Sequence, residues 1–155
     1  MLSLSLIVWL GAEIFFPIVA AITFETLRPD THAAGAIVGH LLRILHGMGV
    51  VSGLVALAVL ALSAKGIGKP RAVLVPMALL LLMIGLTLYS QYSIIPTMER
   101  DRIAVGGAIN AADATNSSRV HFDKLHHRSV YVEEAVLLLG LATVVLVSRV
   151  ENSRD

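Results

Sequence analysis

Six ionisable residues lie inside stretches of sequence that are otherwise apolar enough to cross a lipid bilayer: Glu13, His40, Arg43, His46, Glu133 and Glu134. A charged side chain in the hydrocarbon region is stable only with a partner, a water-filled cavity or a ligand. Imidazoles bind iron, copper or zinc, and a ligating histidine is usually oriented by a carboxylate. These residue types therefore indicate a binding site inside the membrane.

The spacing of three of these residues places them on one side of a helix. His40, Arg43 and His46 follow one another at intervals of three residues. At ~100° per residue they spread over about 120° of the helix circumference, so all three can face the interior of a bundle. The alternative is that each histidine is simply buried and hydrogen-bonded to the backbone or to Glu13.

A further histidine lies just before the last apolar run. His126 and Glu133 are seven residues apart and share one face of a helix. We predict that His40, His46 and His126 bind a transition metal (iron, copper or zinc) or haem. The supporting polar groups are Glu13 as a ligand or the partner of one, Arg43 as a counter-charge for a carboxylate or propionate, Tyr92 and Glu133.

Two other functions fit the same residues. In a small membrane exporter of cations or drugs, these groups form a site near the membrane midplane and an oligomer completes the pathway. In a membrane scaffold or assembly factor, the contact surfaces are the pairs Gly35-x3-Gly39 and Gly49-x3-Gly53, because small residues let helices approach closely. Either glycine pair can also join copies of the chain into a homo-oligomer. The sequence contains neither a His-Glu-x-x-His nor a Glu-x-x-His pattern, so it specifies no reaction.

The composition is that of a membrane protein. The 155 residues are 56% hydrophobic and 15% charged, with a mean hydropathy of +0.80. Soluble domains carry about 25% charged residues. The net charge of +1, with no basic stripe, argues against a nucleic-acid partner. The absence of cysteine excludes disulfides and thiolate metal sites.

Four apolar runs are each near the ~20 residues that cross a ~30 Å hydrocarbon core: 4–26, 36–63, 73–95 and 130–148. A backbone in lipid must satisfy its own hydrogen bonds, so these runs predict α-helices. We therefore predict an all-α membrane protein, a four-transmembrane-helix up-and-down bundle in a single domain, with a long polar loop at 96–129. Within that loop, Met98 to Ile103 can extend the third helix, Gly106 and Gly107 break it, and Arg119 to Ser129 can form an early turn of the fourth. The polar side chains collect in one half of such a bundle, which places the site on one side of the membrane.

The distribution of basic residues predicts the orientation in the membrane. Lys65, Lys69 and Arg71 lie in the short turn between the second and third runs, and Arg149 and Arg154 lie in the tail. Lys and Arg in short loops mark the cytoplasmic side. We expect both termini to be cytoplasmic, in a bacterial inner membrane, with lipids as partners and the site entered from the opposite side.

Three stretches of the chain resemble a known family. They are Trp9 to Phe24 with the following Ala34-Gly35 turn, Tyr92 to Pro96, and the pattern Phe122-x2-Leu125-His126-x2-Ser129. With these stretches the chain resembles the four-helix transmembrane family typified by transmembrane protein 205, also described as domain of unknown function 4149. The resemblance implies a four-helix membrane protein, suggests metal or drug handling, and marks four positions: Pro96, Phe122, His126 and Ser129. The second helix departs from the pattern, since aromatic residues are usual in the family at 42–46.

Overall fold

The structure is a computed structural model that describes residues 2–64 and 71–152. Its helices are α1 (Leu2–Thr26), α2 (Thr31–Ala64), α3 (Arg71–Tyr89), α4 (Ile95–Ala104) and α5 (Ser117–Asn152), with a π-helical segment at Ser90–Ile94 and a 3-10 turn at Ile109–Ala111. Because α3, the π-helical segment and α4 follow without a break, the described residues form four helices long and apolar enough to cross a membrane. The predicted all-α, four-helix membrane fold is confirmed, and the chain is an integral multi-pass membrane protein in contact with lipid.

Four crossings place both ends of the chain on the same side of the membrane. We call that side of the bundle the terminal end. The opposite side, where α1 meets α2 and α4 leads to α5, is the loop end. The predicted cytoplasmic position of the termini depends on Lys65, Lys69 and Arg154, which lie outside the described residues, so the orientation stays a prediction.

An apolar core fills the half of the bundle next to the terminal end. In it α1 packs against α2, α2 against α3, and α3 against α5. Its buried side chains include Leu2, Leu6, Trp9 and Leu10 from α1, Ala56 and Leu60 from α2, Leu80 and Met83 from α3, and Val136 and Val147 from α5. Lipid tails are as apolar as leucine, so close packing rather than exclusion of water holds this half together.

Trp9 determines how closely α1 approaches α2. A Cβ atom on Gly49 would lie 2.6 Å from Trp9 Nε1, and one on Gly53 would lie 2.6 Å from Trp9 Cζ3 and 2.8 Å from Ile84 Cγ1. The indole therefore occupies the groove that these two glycines leave, and this pair makes its contact within the chain. At Gly35, by contrast, a Cβ atom would meet nothing within 4 Å.

The helices extend beyond the apolar runs at the loop end. The 36 residues of α5 are about 54 Å long at 1.5 Å per residue, whereas the hydrocarbon core is ~30 Å thick. Asn116 caps this helix, since its Oδ1 accepts the backbone N–H groups of Ser118 (2.9 Å) and Arg119 (3.3 Å). Much of the predicted polar loop at 96–129 is thus helical, and only 105–116 lies outside the α-helices. Hydropathy marks only the part of a helix that lies in lipid, and polar residues continue the same helix beyond it.

Arg102 ties α4 to the start of α2. Its Nε and Nη2 donate to the two carboxylate oxygens of Glu99 at 3.0 and 2.7 Å. Its Nη1 donates to Nδ1 of His32 at 2.7 Å and to the backbone carbonyl of His32 at 3.2 Å. The ring of His32 packs over Gly107, whose φ of +94° suits glycine and leaves no room for a Cβ atom. These contacts join α4 and the loop that follows it to the start of α2 at the loop end.

We expect Gly53→Ala to destabilise the fold and Gly47→Ala, at an open position of the same helix, to leave it as stable or more so. The methyl group at 53 must displace Trp9 or Ile84, and overpacking typically costs about 1–3 kcal/mol. A methyl group at 47 would meet nothing within 4 Å, and alanine favours a helix over glycine by about 1 kcal/mol. Thermal unfolding of the purified protein in detergent, followed by circular dichroism, compares the two variants. Equal melting temperatures would contradict the close contact of Trp9 and Ile84 with Gly53.

Candidate functional site

His46 lies at the centre of a hydrogen-bond network in the loop-end half of the bundle. Its side chain is only 1% exposed. The Nε2–H group donates to Oε1 of Glu133 on α5 at 2.8 Å, and Nδ1 lies 3.0 Å from Oε1 of Gln91. Both ring nitrogens therefore have protein partners, and the imidazole links α2 to α5 and to the π-helical segment.

Only one of the two carboxylate oxygens of Glu133 has hydrogen-bond partners among the described residues. Its Oε1 accepts hydrogen bonds from His46 and from the hydroxyl of Ser90 at 3.0 Å. Its Oε2 is buried and has no hydrogen-bond partner among the described residues. A buried carboxylate oxygen without a partner is costly, and such a group in a native protein calls for a ligand, a water or a functional role.

The π-helical segment explains how the neighbouring residues Ser90 and Gln91 both reach the pair formed by His46 and Glu133. The N–H group of Ile95 donates to the carbonyl of Ser90, five residues back rather than four. Adjacent side chains of a regular α-helix point about 100° apart. The wider turn lets Ser90 contact Glu133 while Gln91 contacts His46. Such π-helical turns within α-helices frequently mark functional sites.

Glu13 is the second buried carboxylate and comes from α1. It is 6% exposed, and its Oε1 accepts the indole N–H of Trp9 at 3.2 Å. Pro17 stands four residues later in the same helix and has no N–H group. The backbone carbonyl of Glu13 therefore lacks its usual helical donor, so carboxylate and carbonyl together offer acceptors at one point of α1.

A cavity of about 700 Å³ lies between α1 and α2 on one side and α4 and α5 on the other. That volume is within the range of about 300–1,000 Å³ typical of small-molecule sites. The polar groups of its wall include Glu13, Arg43, His126, Ser129, Glu133 and Glu134. The apolar ones include Phe16, Leu42, Ile95, Phe122 and Leu137. The cavity extends to Thr31 and Gly107 at the loop end and is closed toward the terminal end by the apolar core.

The three predicted metal ligands are not brought together. His46 is buried in the network, whereas His126 is exposed, lines the cavity and stacks on Phe122 with 6.3 Å between ring centroids. His40 is exposed and does not line the cavity, because an arc of about 120° is too wide for both ends to face inward. Within residues 2–64 and 71–152, no three His, Asp or Glu side chains are close enough to hold a metal ion.

The other predicted positions divide between the cavity and the outer surface. Arg43 is exposed and lines the cavity. Ser129 is buried in the cavity wall and donates to the carbonyl of His126 at 2.8 Å. Tyr92 is 76% exposed on the outer surface, as expected of an aromatic residue at the membrane interface. Pro96 is also exposed, at the start of α4.

Three residues of the site were not among the predicted ones: Trp9, Ser90 and Gln91. Trp9 and Glu13 are four residues apart, the spacing at which side chains meet on a helix, so that contact was accessible from the sequence. The signal for Ser90 and Gln91 is a polar pair inside an apolar run, shortly before Pro96. A proline removes a backbone donor, and a wider helical turn is one way in which a membrane helix adjusts to that loss.

We expect Glu133→Leu to destabilise the bundle and Glu134→Leu, its neighbour, to have little effect. The first change leaves the Nε2 of His46 and the hydroxyl of Ser90 without their acceptor, and each such loss costs about 1–3 kcal/mol. Glu134 is exposed, and exposed substitutions usually stay within about 0.5 kcal/mol. Thermal unfolding in the same detergent measures both. A Glu133→Leu variant as stable as the parent protein would show that the hydrogen-bond network does not stabilise the fold.

The family model described as Domain of unknown function (DUF4149) matches residues 4–102. The match contains most of α1, all of α2, α3 and the π-helical segment, and most of α4, and thus every residue of the network except Glu133. The resembling stretch from Phe122 to Ser129 lies beyond the matched residues. No curated protein and no solved structure matches the chain. Since the match covers more than half of the sequence, the expectation from the sequence is confirmed, and the chain belongs to the Domain of unknown function (DUF4149) family.

Proposed function

We propose that this protein binds an organic cation in the cavity, with Glu13 and Glu133 as the groups that hold its charge, and that it serves as a small exporter of such cations. The observation that carries the proposal is the buried Oε2 of Glu133, which has no hydrogen-bond partner among the described residues. A cationic N–H donor would satisfy this oxygen, and charge-assisted hydrogen bonds are about twice as strong as neutral ones.

The charges that line the cavity favour a cation over an anion, because five of them are acidic and two are basic. The acidic ones are Glu13, Glu99, Asp123, Glu133 and Glu134, and the basic ones are Arg43 and Arg102. Glu13 contributes a carboxylate that accepts one hydrogen bond, from Trp9, and a backbone carbonyl without its helical donor. His46 and Ser90 both donate to Oε1 of Glu133, which keeps the carboxylate in place and leaves Oε2 to a ligand. Carboxylates set in place before the ligand arrives avoid part of the ordering cost of binding.

The walls of the cavity favour an organic cation over a hydrated metal ion. Phe16, Leu42, Phe122 and Leu137 present apolar surface to the same space as the carboxylates. Small-molecule sites typically combine such walls with a few polar groups that fix the orientation of the ligand. An alkyl or aromatic amine or guanidine has both parts, whereas a hydrated ion gains nothing from apolar walls.

Export requires the terminal end to open, because the apolar core closes the cavity on that side. Many transporters hold their ligand near the bilayer midplane and expose it to the two sides in turn. Under this proposal, the described arrangement, whose cavity reaches Thr31 and Gly107, is the state that is open at the loop end. We propose that this end faces away from the cytoplasm of a bacterial inner membrane and that a homo-oligomer assists the opening.

Binding is measurable through Trp9, which is the one tryptophan of the chain and donates to Glu13. We expect butylguanidinium to change its emission with saturation, and butylurea, a neutral ligand of the same shape, to have no such effect. Glu133→Gln removes the charge, and loss of a hydrogen bond between charged groups, about 1.5–3 kcal/mol, corresponds to a Kd raised about 10- to 100-fold. Glu25→Gln, which changes an exposed carboxylate at the end of α1, is the matched control. Equal responses to butylguanidinium and butylurea would refute the proposal.

The metal or haem site is the alternative proposal, supported by the carboxylate that orients the imidazole of His46 as it would orient a ligand. Two features weaken it: Nδ1 of His46 is engaged by Gln91, and His40 is exposed outside the cavity wall. We therefore expect protein purified in detergent to contain far less than one iron, copper, zinc or manganese per chain by mass spectrometry, even after resupply of these metals. One metal per chain that His46→Ala removes would favour the alternative.

A further inference from the structure

The burial of α1 changes at Glu13. In the half of α1 that begins the chain, Leu2, Ser5, Leu6, Trp9, Leu10 and Glu13 are buried. From Ile14 to Thr26, no residue is buried. The second half of α1 therefore lacks the close helix contact of the first half. Pro17 stands at the start of this half and removes one helical hydrogen bond there.

The helix on which the first half of α1 packs closely, and the second half does not, is α5. In the apolar core, Leu10 packs directly on Gly140, so the two helices touch there. Toward the loop end, Val130 and Glu134 of α5 are exposed although both line the cavity. Phe16 and Ala20 line it from the side of α1. The cavity is thus bounded by α1 and α5 without being closed between them.

This opening lies at the depth of the bilayer. Phe16 and Ala20 belong to the apolar run 4–26, and Val130, Glu133 and Leu137 belong to the apolar run 130–148, whose lengths match the hydrocarbon core. An opening between two membrane-spanning helices faces lipid rather than water. Its inner end carries the carboxylates of Glu13 and Glu133, and its sides carry Phe16, Val130 and the exposed Glu134. Negative charge at the inner end and apolar walls toward lipid match a molecule with a cationic head and an apolar tail.

We propose that the ligand is a single-chain amphiphile with a cationic head, and that it enters sideways from the lipid through the cleft between α1 and α5. The head binds Glu13 and Glu133, and the alkyl chain lies in the cleft between Ala20 and Val130 and continues into the bilayer. This inference rests on the proposed function for the binding of the head and adds the tail and the route of entry.

The test compares two guanidinium ligands that differ only in tail length, butylguanidinium and dodecylguanidinium, with Trp9 emission as the readout in lipid nanodiscs. Ala20→Phe and Val130→Phe narrow the cleft from its two sides. Ala21→Phe is the matched control, since Ala21 is exposed and does not line the cavity. Gly35→Phe narrows the loop-end route instead, at a position where a Cβ atom has free space. Phenylalanine leaves Trp9 the sole tryptophan, and circular dichroism verifies that each variant is folded.

We expect each cleft variant to raise the Kd of dodecylguanidinium about ten-fold and to leave that of butylguanidinium within about two-fold. The Ala21→Phe control should change neither Kd, and Gly35→Phe should spare dodecylguanidinium. If the cleft variants leave the Kd of dodecylguanidinium unchanged and Gly35→Phe slows the association of both ligands, entry is from the loop end and the inference is overturned. If neither ligand binds the parent protein, the proposed function falls as well, so the two failures are distinct.

A second copy of the chain covering the cleft would also overturn the inference. The chain contains no cysteine, so Ala20→Cys provides a single thiol in the cleft. We expect this thiol in nanodiscs to be quenched by spin-labelled lipid when it carries a fluorophore, and to form no cross-linked dimer with a bismaleimide. Efficient dimer formation with loss of quenching would show that a neighbouring chain, rather than an alkyl tail, occupies this space.

Discussion

The hydrogen bond between His46 and Glu133 is the constraint on which the arrangement of the polar half depends. The membrane interior offers no water to a polar side chain, so each such group must find its partner within the protein. This bond joins α2 to α5, and Gln91 and Ser90 add the third span to the same network. Three of the four spans are therefore held in register by one polar cluster. The remaining helix, α1, takes no part in that cluster and is positioned by Trp9 in the groove of α2.

Two kinds of interaction thus divide the bundle along the membrane normal. Near the terminal end, small residues such as Gly49, Gly53 and Gly140 let helices come into direct contact, and dispersion holds them. Near the loop end, hydrogen bonds between side chains join the helices. The cavity lies in this half of the bundle, and Glu133 belongs both to the hydrogen-bond network and to the cavity wall.

Much of the fold could be predicted from the sequence, because hydropathy directly measures the condition for crossing a bilayer. The interior position of Glu13, His46 and Glu133 also follows, since an ionisable side chain is excluded from lipid. The grouping of the histidines could not be predicted. It depends on the rotation of α2 about its own axis, which the packing of Trp9 decides and which turns His40 outward. The helical ends within 96–129 were predicted from the position of Gly106 and Gly107 rather than from hydropathy, because polar residues outside lipid carry no hydropathy signal.

The contacts of Ser90 and Gln91 could not be predicted from the sequence, for a different reason. Periodicity arguments assume 3.6 residues per turn throughout a helix. The π-helical segment at Ser90–Ile94 breaks that assumption by one residue, and from that point every side chain is rotated relative to the expected face. A proline shortly downstream indicates that a helix is disturbed. It does not say by how much, so it cannot identify which side chains turn inward.

The sequence separation of the central pair has a consequence for how the protein is made. His46 and Glu133 are 87 residues apart, and helices enter the membrane in the order of synthesis. The imidazole of His46 therefore enters the bilayer before its carboxylate partner exists. The third span supplies Gln91 beside Nδ1, and only the last helix supplies the acceptor of the Nε2–H group. A chain without its last helix leaves that N–H group without its acceptor. The same bond that positions the helices can therefore form only after the last helix has entered the membrane.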